Sequence, residues 1–269
     1  MIKRRHHRTT TSALSLALCA ALSASPLHAG TTVDLALEDV PSIRGAAVED
    51  QFGYCFTAGD LDGDGRTEIV VGAPGLVDSS GAQHAGAVFV FRADVLDTLS
   101  GEAVATSVAD WVVFGVADGG RFGSAVAAGD FDADGIADLA VGAPASGDGP
   151  TTTQGEVSIY FGGALDAWAA DGPDVVIAGE VPGARLGTLI LAEDINGDGA
   201  AELLLSAPGY GTAATLGSGA VYVLTGESLR EAGEKVSVSE IAVAVITGEN
   251  AGDALSGLAV ADLSLIHIS

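Results

Sequence analysis

The stretch DQFGYCFTAGDLDGDGRTEIVVGAP, residues 50–74, decides the fold because it occurs in three versions along the chain. The other two are GRFGSAVAAGDFDADGIADLAVGAP at 120–144 and ARLGTLILAEDINGDGAAELLLSAP at 184–208. In each version Phe-Gly or Leu-Gly lies eight residues before the first aspartate of an acidic run, and Gly-Ala-Pro or Ser-Ala-Pro begins twelve residues after it. The distance from the first version to the second is longer than that from the second to the third. Fixed spacing inside the copies and variable spacing between them indicate a structural repeat.

Each repeat predicts four β-strands. The runs are short, rich in Val, Ile, Phe and Tyr, and bounded by Gly and Pro, with no helical period of useful length between them. The predicted strands are 54–58, 68–71, 87–92 and 111–115 in the first repeat, 124–128, 138–141, 156–161 and 174–177 in the second, and 188–192, 202–205, 220–225 and 241–246 in the third. Four antiparallel strands per repeat are typical of a β-propeller blade, which buries its faces against neighbouring blades.

The predicted fold class is therefore all-β, an incomplete and open arc of about three four-stranded propeller blades. Residues 31–37 (TTVDLAL) precede the first Phe-Gly much as a fourth strand precedes the next repeat, so an outer strand is expected within 31–48. A further first strand begins at 254–262, but the residues after it cannot supply three carboxylates. We expect a partial blade at 251–263 and a non-native tail at 264–269. The three predicted blades are 49–118, 119–182 and 183–250.

The segment 1–29 is predicted to be a secretory signal peptide. A basic head is followed by an apolar run at 13–24 that is too short to span a bilayer comfortably, and cleavage is expected after Ala24 or Ala29. Lipidation at Cys19 is disfavoured because Leu18, before it, is not a small residue. We expect a protein that is secreted, extracellular or at the cell surface, with the periplasm left open, and no transmembrane segment in the mature chain.

The charge balance excludes nucleic acid as a partner. Lys and Arg number 11 against 36 Asp and Glu, a net charge of -25 that repels phosphates and favours cation binding or simple solubility. The 38 glycines follow no three-residue period, which excludes collagen, and 17% charged residues without sustained heptads argue against a coiled coil. Without the signal peptide, Cys55 is the single cysteine and cannot form an internal disulfide.

The acidic run between the first and second strands of each repeat is a candidate calcium loop. Oxygen-bearing side chains stand at loop positions 1, 3, 5 and 9, and position 7 would add a backbone carbonyl. A tight loop that turns on a glycine aims such groups at one point, and oxygen donors without His or Cys suit Ca²⁺. The predicted ligands are Asp60, Asp62, Asp64, Arg66 and Glu68 in the first loop, Asp130, Asp132, Asp134, Ile136 and Asp138 in the second, and Asp194, Asn196, Asp198, Ala200 and Glu202 in the third.

Two other interpretations of these loops compete with the calcium site. An EF-hand would need a glutamate at position 12, where Val71, Val141 and Leu205 stand. An acidic hairpin turn is the simpler alternative, since Asp-Gly is a strong hairpin signal. Three copies in register, each with the acid or its equivalent at position 9, favour about three calcium sites. Carboxylates packed without a cation repel by about 4 kcal/mol per pair at roughly 4 Å, so metal should stiffen the blades.

Phe-Gly, the acidic loop and Gly-Ala-Pro, in that order, resemble the FG-GAP repeats of the integrin α-subunit N-terminal β-propeller and its bacterial relatives. The resemblance covers nearly all of the chain after the signal peptide, and the open arc predicts a truncated member. It implies a ring of normally seven blades, calcium in the loop between the first two strands, and partners on the opposite face or the rim. It is strongest at Phe52, Gly53, Gly72, Ala73, Pro74, Phe122, Gly123, Gly142, Ala143 and Pro144.

The third repeat departs from this pattern. Leu186 replaces the phenylalanine, Ser206 replaces a glycine, and Asn196 replaces an aspartate of the acidic loop. Asparagine keeps an oxygen ligand but removes a negative charge. We therefore expect the third loop to have the weakest calcium affinity.

No catalytic motif is recognisable, and we predict that the protein is not an enzyme. His-Glu-x-x-His, Gly-x-Ser-x-Gly and a phosphate-binding Gly-rich Lys loop do not occur. His84 is interpreted as a surface residue, and Cys55 as a small buried thiol because no nearby base is visible. Trp111 and Trp168 are interpreted as packing residues. No catalytic residue or organic cofactor site is predicted.

Three functions are compatible with these features. The first, which we expect, is an exported, calcium-binding, non-catalytic adhesion or protein-interaction module with a protein or glycan ligand at the cell surface. The second is an accessory propeller domain of an extracellular hydrolase whose catalytic region lies elsewhere. The third is a structural protein of a surface array. Interaction loops on propellers carry no transferable code, so the partner is not readable from them.

Overall fold

A computed structural model describes residues 42–77, 85–99, 102–117, 119–147, 152–163, 165–212, 215 and 217–255, all within the unit Pro41–Ser269. The predictions of a signal peptide, of a strand at 31–37, of a surface His84 and of a tail at 264–269 lie outside these residues. The segment expected to be a partial blade is described only as far as residue 255.

Each repeat forms one four-stranded antiparallel sheet whose strands follow the order of the chain. This confirms the all-β fold and the propeller-blade architecture. Most strand ends lie within two residues of the predicted ones, but the last strand begins three residues later than predicted. The sheets are β2 (Phe56–Gly59), β3 (Glu68–Ala73), β4 (Ala87–Phe91) and β6 (Trp111–Phe114); β7 (Ala125–Gly129), β8 (Asp138–Ala143), β9 (Glu156–Tyr160) and β10 (Val175–Ala178); and β11 (Ile190–Glu193), β12 (Glu202–Ala207), β13 (Ala220–Leu224) and β15 (Ala244–Thr247).

Three additional short strands join the blades in a way that the sequence did not predict. They are β1 (Ser42–Arg44), β5 (Glu102–Val104) and β14 (Lys235–Ser237). Strand β5 pairs in parallel with β1, and β14 pairs in parallel with β10. Strand β1 ends eight residues before Phe52, as β6 and β10 end eight residues before the next Phe-Gly or Leu-Gly. It therefore stands where an outer strand stands in the other blades.

Short helices lie in the connections between third and fourth strands, where the sequence predicted none. Each has four to seven residues, too few for a helical period to be visible in the sequence. None of the helices in the described ranges is long and apolar enough to cross a membrane. They are α1 (Ala93–Thr98), α2 (Ala105–Val108), α3 (Leu165–Asp171), α4 (Gly226–Arg230) and α5 (Val238–Ile241), together with a 3₁₀ turn at Val48–Asp50.

The hydrophobic core lies between neighbouring blades. The first and second blades share a cluster that includes Val70, Val90 and Leu139, each fully buried. The second and third blades share another that includes Ile159 and Leu203. Because each such side chain contributes about 1.5–3 kcal/mol on burial, a blade depends on its neighbours for stability.

The glycines of the repeated motifs lie where blades approach most closely. A Cβ added to Gly72 would overlap the carbonyl oxygen of Gly123 in the next blade, and one added to Gly142 would overlap that of Gly187. Within a blade, the N–H of Gly123 donates to the carbonyl oxygen of Gly142 at 3.1 Å. Phe-Gly and Gly-Ala-Pro thus form one contact unit that is shared between adjacent blades.

Candidate metal centres

The three acidic loops have the same length and the same place in their blades. Each joins the first strand to the second, and the acid at position 9 is the first residue of the second strand. Glu68, Asp138 and Glu202, at this position, are 1%, 0% and 2% exposed. Each accepts a hydrogen bond from the N–H of position 2, which holds the carboxylate at the base of the loop. The donors are Leu61 at 2.8 Å, Phe131 at 2.6 Å and Ile195 at 3.0 Å.

The glycine at position 6 closes each loop. Gly65, Gly135 and Gly199 have φ angles of 83°, 90° and 94°, in the left-handed region that favours glycine. Their N–H groups donate to the aspartate at position 1 and turn the chain back over it. The acceptors are Asp60 at 2.9 Å, Asp130 at 2.9 Å and Asp194 at 3.0 Å.

Two of the loops bring three carboxylates together. In the first loop, ligand oxygens of Asp60, Asp62 and Glu68 all lie within 4.8 Å of one another. The second loop does the same with its acids at positions 1, 3 and 9, namely Asp130, Asp132 and Asp138.

Position 5 is not part of either group. In all three loops, the position 5 aspartate instead accepts an N–H from position 7: Asp64 from Arg66 at 2.8 Å, Asp134 from Ile136 at 2.8 Å and Asp198 from Ala200 at 2.9 Å. That any of the predicted residues binds a metal ion stays a prediction. This includes Asp64, Asp134 and Asp198 at position 5 and the carbonyls of Arg66, Ile136 and Ala200.

The first loop has the oxygen chemistry that a cation requires. Asp60 Oδ1 and Glu68 Oε1 are buried, and no described residue donates a hydrogen bond to either. Buried carboxylate oxygens normally have partners, since leaving a charged group unpaired costs several kcal/mol. The donor set consists only of oxygens, which hard cations such as Ca²⁺ prefer. These residues therefore fit a metal ion.

In the third loop, two of the carboxylates already accept hydrogen bonds from a side chain of the loop. The side-chain amide of Asn196 donates to Asp198 at 2.9 Å and to Glu202 at 2.8 Å. The amide N–H groups thus occupy oxygens that would otherwise face a cation. Among the described residues, this loop forms no group of three acids with the spacing found in the other two.

Burial and crowding of carboxylates raise several pKa values. Burial raises the pKa of Asp138 to about 7, and the charges of Asp132 and Asp130 add to this effect. Burial likewise raises the pKa of Glu68, with a further contribution from Asp62. A bound cation would favour the charged forms and reverse these shifts.

Two arginines that the sequence analysis missed lie against the loops. Arg92 Nη2 is 3.3 Å from a carboxylate oxygen of Asp62 and 3.3 Å from one of Asp64. Arg230 donates to the backbone carbonyl oxygen of Asp132. Both side chains come from outside the loops. Arg92 directly follows β4, and Arg230 is the last residue of α4. The composition shows that Lys and Arg are scarce in this chain, but it does not show which of them lie near the loops.

The first two loops are also bonded to the blade that follows them. The carbonyl oxygen of Asp60 accepts the N–H of Ala137 at 2.9 Å, and that of Asp130 accepts the N–H of Ala201 at 2.8 Å. These donors belong to the next acidic loop along the chain. The geometry of one loop is thereby linked to that of its neighbour.

The remaining candidate side chains have packing roles. Cys55 Sγ donates to the carbonyl oxygen of Gly123 at 3.1 Å, and burial raises its pKa to about 11, which disfavours a nucleophilic thiolate. Trp168 is 3% exposed and donates to the carbonyl oxygen of Phe161. Trp111 donates to Asp166 at 2.8 Å.

Fold and loops together define a protein of propeller blades with acidic loops between the first two strands. The FG-GAP repeat family matches residues 52–91, 122–160 and 186–224. The chain accordingly contains three FG-GAP repeats and resembles the integrin α-subunit propeller, which confirms the resemblance predicted from the sequence.

Several curated proteins are similar to this chain. Bovine (Bos taurus) phosphatidylinositol-glycan-specific phospholipase D is 37% identical over 158 residues, which are 59% of this chain and 19% of the relative. Integrin alpha-5 from Xenopus laevis is 29% identical over 187 residues, 65% of this chain and 16% of the relative. Integrin alpha-PS5 from Drosophila melanogaster is 36% identical over 107 residues, 39% of this chain and 10% of the relative. The chain thus spans a fifth or less of the length of these relatives.

The phospholipase matches correct one prediction. The sequence analysis predicted that the protein is not an enzyme, and this is contradicted by similarity to phosphatidylinositol-glycan-specific phospholipase D from cattle and from Homo sapiens, which are named as enzymes. The absence of catalytic motifs from this chain was a poor guide, because the matched region is 19% of the bovine enzyme. These relatives also lend no support to a periplasmic location.

Proposed function

We propose that this protein is the calcium-stabilised propeller part of an extracellular hydrolase, with phosphatidylinositol-glycan as the substrate class. The observation that carries the proposal is 37% identity to bovine phosphatidylinositol-glycan-specific phospholipase D across 158 residues. In this role the propeller positions the substrate or the membrane surface that bears it. The catalytic motifs that the sequence lacks are not needed for that task.

Calcium at the acidic loops is supported by the orphaned oxygens of the first loop. Asp60 Oδ1 and Glu68 Oε1 are buried without a hydrogen-bond donor among the described residues, beside a third carboxylate. We propose strong sites in the first two loops and a weak one in the third, where Asn196 already satisfies neighbouring carboxylates. Extracellular modules bind Ca²⁺ with dissociation constants of about 10⁻⁴–10⁻³ M, which suits a protein outside the cell.

The role of the ion is to join blades. The backbone carbonyl oxygens of Asp60 and Asp130, at position 1 of the first two loops, accept N–H groups from the next blade. A filled loop would therefore fix both its own strands and its neighbour. An empty loop retains repulsion between carboxylates, which loosens the same contacts. Binding to the folded state alone raises the free energy of unfolding by mass action.

Thermal melting of the full chain with Ca²⁺ and with chelator tests the calcium proposal. Each site filled at 100 times its dissociation constant adds about 2.7 kcal/mol, or a Tm rise of roughly 5–10 °C for a chain of this size. Asp60→Asn should reduce the rise, whereas the same change at exposed Asp171 should not. A Tm that is equal in Ca²⁺ and in chelator would remove the proposed structural role of the loops.

Sedimentation with lipid vesicles tests the substrate proposal. The full chain should co-sediment, in Ca²⁺, with phosphatidylcholine vesicles that carry a phosphatidylinositol-glycan-anchored protein, and not with plain phosphatidylcholine vesicles. Equal sedimentation with both would contradict it. This outcome is independent of the melting experiment.

A second candidate is an adhesion module that binds a protein or glycan at the cell surface. Similarity to integrin alpha-5 over 65% of this chain favours it. Binding of the chain to intact cells that persists after their phosphatidylinositol-glycan-anchored proteins are released would support this candidate over the first.

A further inference from the structure

The outer strand of the first blade lacks the covering strand that β1 and β10 possess. The outer strand of the third blade, β15, also pairs only with β13 among the described strands, but the residues that follow it are described only as far as 255. Strand β1 is covered by β5, and β10 is covered by β14. In both cases the covering strand comes from the third-to-fourth-strand connection of the following blade. Strand β6 is the outer strand of the first blade and pairs only with β4 among the described strands.

The cause is a shorter connection in the second blade. The connections between third and fourth strands at 92–110 in the first blade and 225–243 in the third are equal in length, and they contain β5 and β14. The corresponding connection at 161–174 is shorter and contains α3 but, among its described residues, no strand. Because all four strands of the second blade, which would supply the covering strand, are described, the gap at β6 does not arise from a missing blade.

A comparison of Val112 in β6 with the equivalent Val176 in β10 shows which backbone groups of β6 have no partner among the described residues. Val176 pairs with Ser158 on the inner side, and its N–H donates to the carbonyl oxygen of Glu234 at 2.8 Å on the outer side. Val112 pairs in the same register with Phe89 and stands ten residues before Phe122, as Val176 stands before Leu186. Its N–H therefore points outward, and no described residue accepts from it.

A groove of about 490 Å³ lies along this open edge. Phe114 and Val116, on one side of the groove, are 45% and 98% exposed, whereas Tyr160 and Trp168, on the other side, are almost fully buried. Helix α3 contacts the first part of β6, through the bond from Trp111 to Asp166, and the groove borders the remainder.

The charge around the groove favours a basic occupant. Asp171, Glu156 and Lys235 all line it. The carboxylate of Glu156 is 2.8 Å from Lys235, so the charge of Asp171 is in excess among the described lining residues. The whole chain carries a net charge of -25, which attracts cationic partners.

We propose that the outer edge of β6 binds an extended, basic segment of a partner protein as an added parallel strand. The main-chain groups of β6 would supply affinity, as in other strand-addition complexes. The covering strands within this chain indicate the pattern of side chains. Ala105 and Val238, directly after β5 and β14, are fully buried, whereas Glu102 and Lys235 at their starts are exposed. The partner segment should therefore begin with an exposed charged residue and carry an apolar residue three positions later. The acidic surroundings of the groove favour a basic residue at the first of these positions.

Fluorescence anisotropy with a labelled peptide tests this proposal. The peptide GKKVSVS copies residues 233–239 apart from the change Glu234→Lys, and should bind the full chain saturably in Ca²⁺. Phe114→Asp should weaken binding by about tenfold or more, equivalent to about 1.4 kcal/mol. Val236→Pro in the peptide should abolish binding because proline has no N–H for the ladder.

Two controls keep the result decisive. Phe56→Asp makes the same change at a side chain that is 76% exposed on β2, at the opposite end of the same sheet, and should leave binding intact. Val116→Asp changes a side chain of the groove that is 98% exposed, and it replaces Phe114→Asp if that variant has a lower Tm. Loss of binding in Phe56→Asp but not in the groove variants would overturn the proposal. So would absence of peptide binding together with self-association that Phe114→Asp removes, since the occupant would then be a second copy.

Discussion

Asn196 is the side chain at which the third acidic loop differs most from the other two. Its amide donates to Asp198 and Glu202, whereas the first loop leaves a buried oxygen of Glu68 without a donor among the described residues. Either an amide N–H or a bound calcium ion can satisfy a buried carboxylate oxygen. A loop that uses the amide does not need calcium for this purpose. One substitution therefore exchanges metal dependence for an internal hydrogen-bond network.

Asn196→Asp should convert the third loop into a stronger calcium site. Without calcium the variant should melt lower than the parent, because a carboxylate replaces the donor that Asp198 and Glu202 now use. With calcium the gap should close or reverse. The measurement is Tm in chelator and across a calcium titration.

Asn250→Asp is the matched control for this prediction, since it adds the same charge outside the acidic loops. It should not change the calcium-dependent part of Tm. An equal calcium response in both variants would mean that Asn196 does not set the affinity of its loop.

The glycines of the Phe-Gly and Gly-Ala-Pro segments allow the strands of adjacent blades to approach closely. Gly142 lies in β8 and faces the backbone of Gly187 in the next blade so closely that no Cβ fits between them. The same holds for Gly72 against Gly123. In the third repeat Ser206 takes this position, is fully buried, and accepts the N–H of Leu189 at 2.9 Å.

Gly142→Ala should destabilise the protein by about 1–3 kcal/mol, because the added methyl group forces adjacent blades apart. Urea denaturation in saturating calcium measures this effect. Gly233→Ala is the matched control, because a Cβ there has nothing within 4 Å and should change stability by less than about 0.5 kcal/mol. Equal stability of the two variants would contradict the close blade contact.

The whole molecule carries far more acid than base, 36 residues against 11. The arginines near the loops, Arg92 and Arg230, offset this imbalance only locally. Most of the repulsion must be relieved by bound cations or by ions in solution.

Salt should therefore replace part of the effect of calcium. In chelator, Tm should rise as NaCl is increased from about 0.01 M to about 1 M, because the Debye length falls from about 30 Å to about 3 Å. The calcium-loaded protein should respond less, since its closest carboxylate groups are already neutralised. The comparison needs two melting series at matched pH. A larger salt response in the calcium-loaded series would argue against the loops as the main source of repulsion.

The blades and the candidate loops could be predicted from the sequence alone. Strand composition, turn glycines and the spacing of Asp60, Asp62 and Glu68 are local features, so they are visible within a window of about ten residues. Only the tertiary structure decided that β5 and β14 cover neighbouring outer strands, that Arg92 and Arg230 approach the loops, and that β6 is left with an open edge among the described strands. These features join segments that are distant in the chain, and side-chain periodicity specifies which face of a strand is buried but not which strand will pair with its edge.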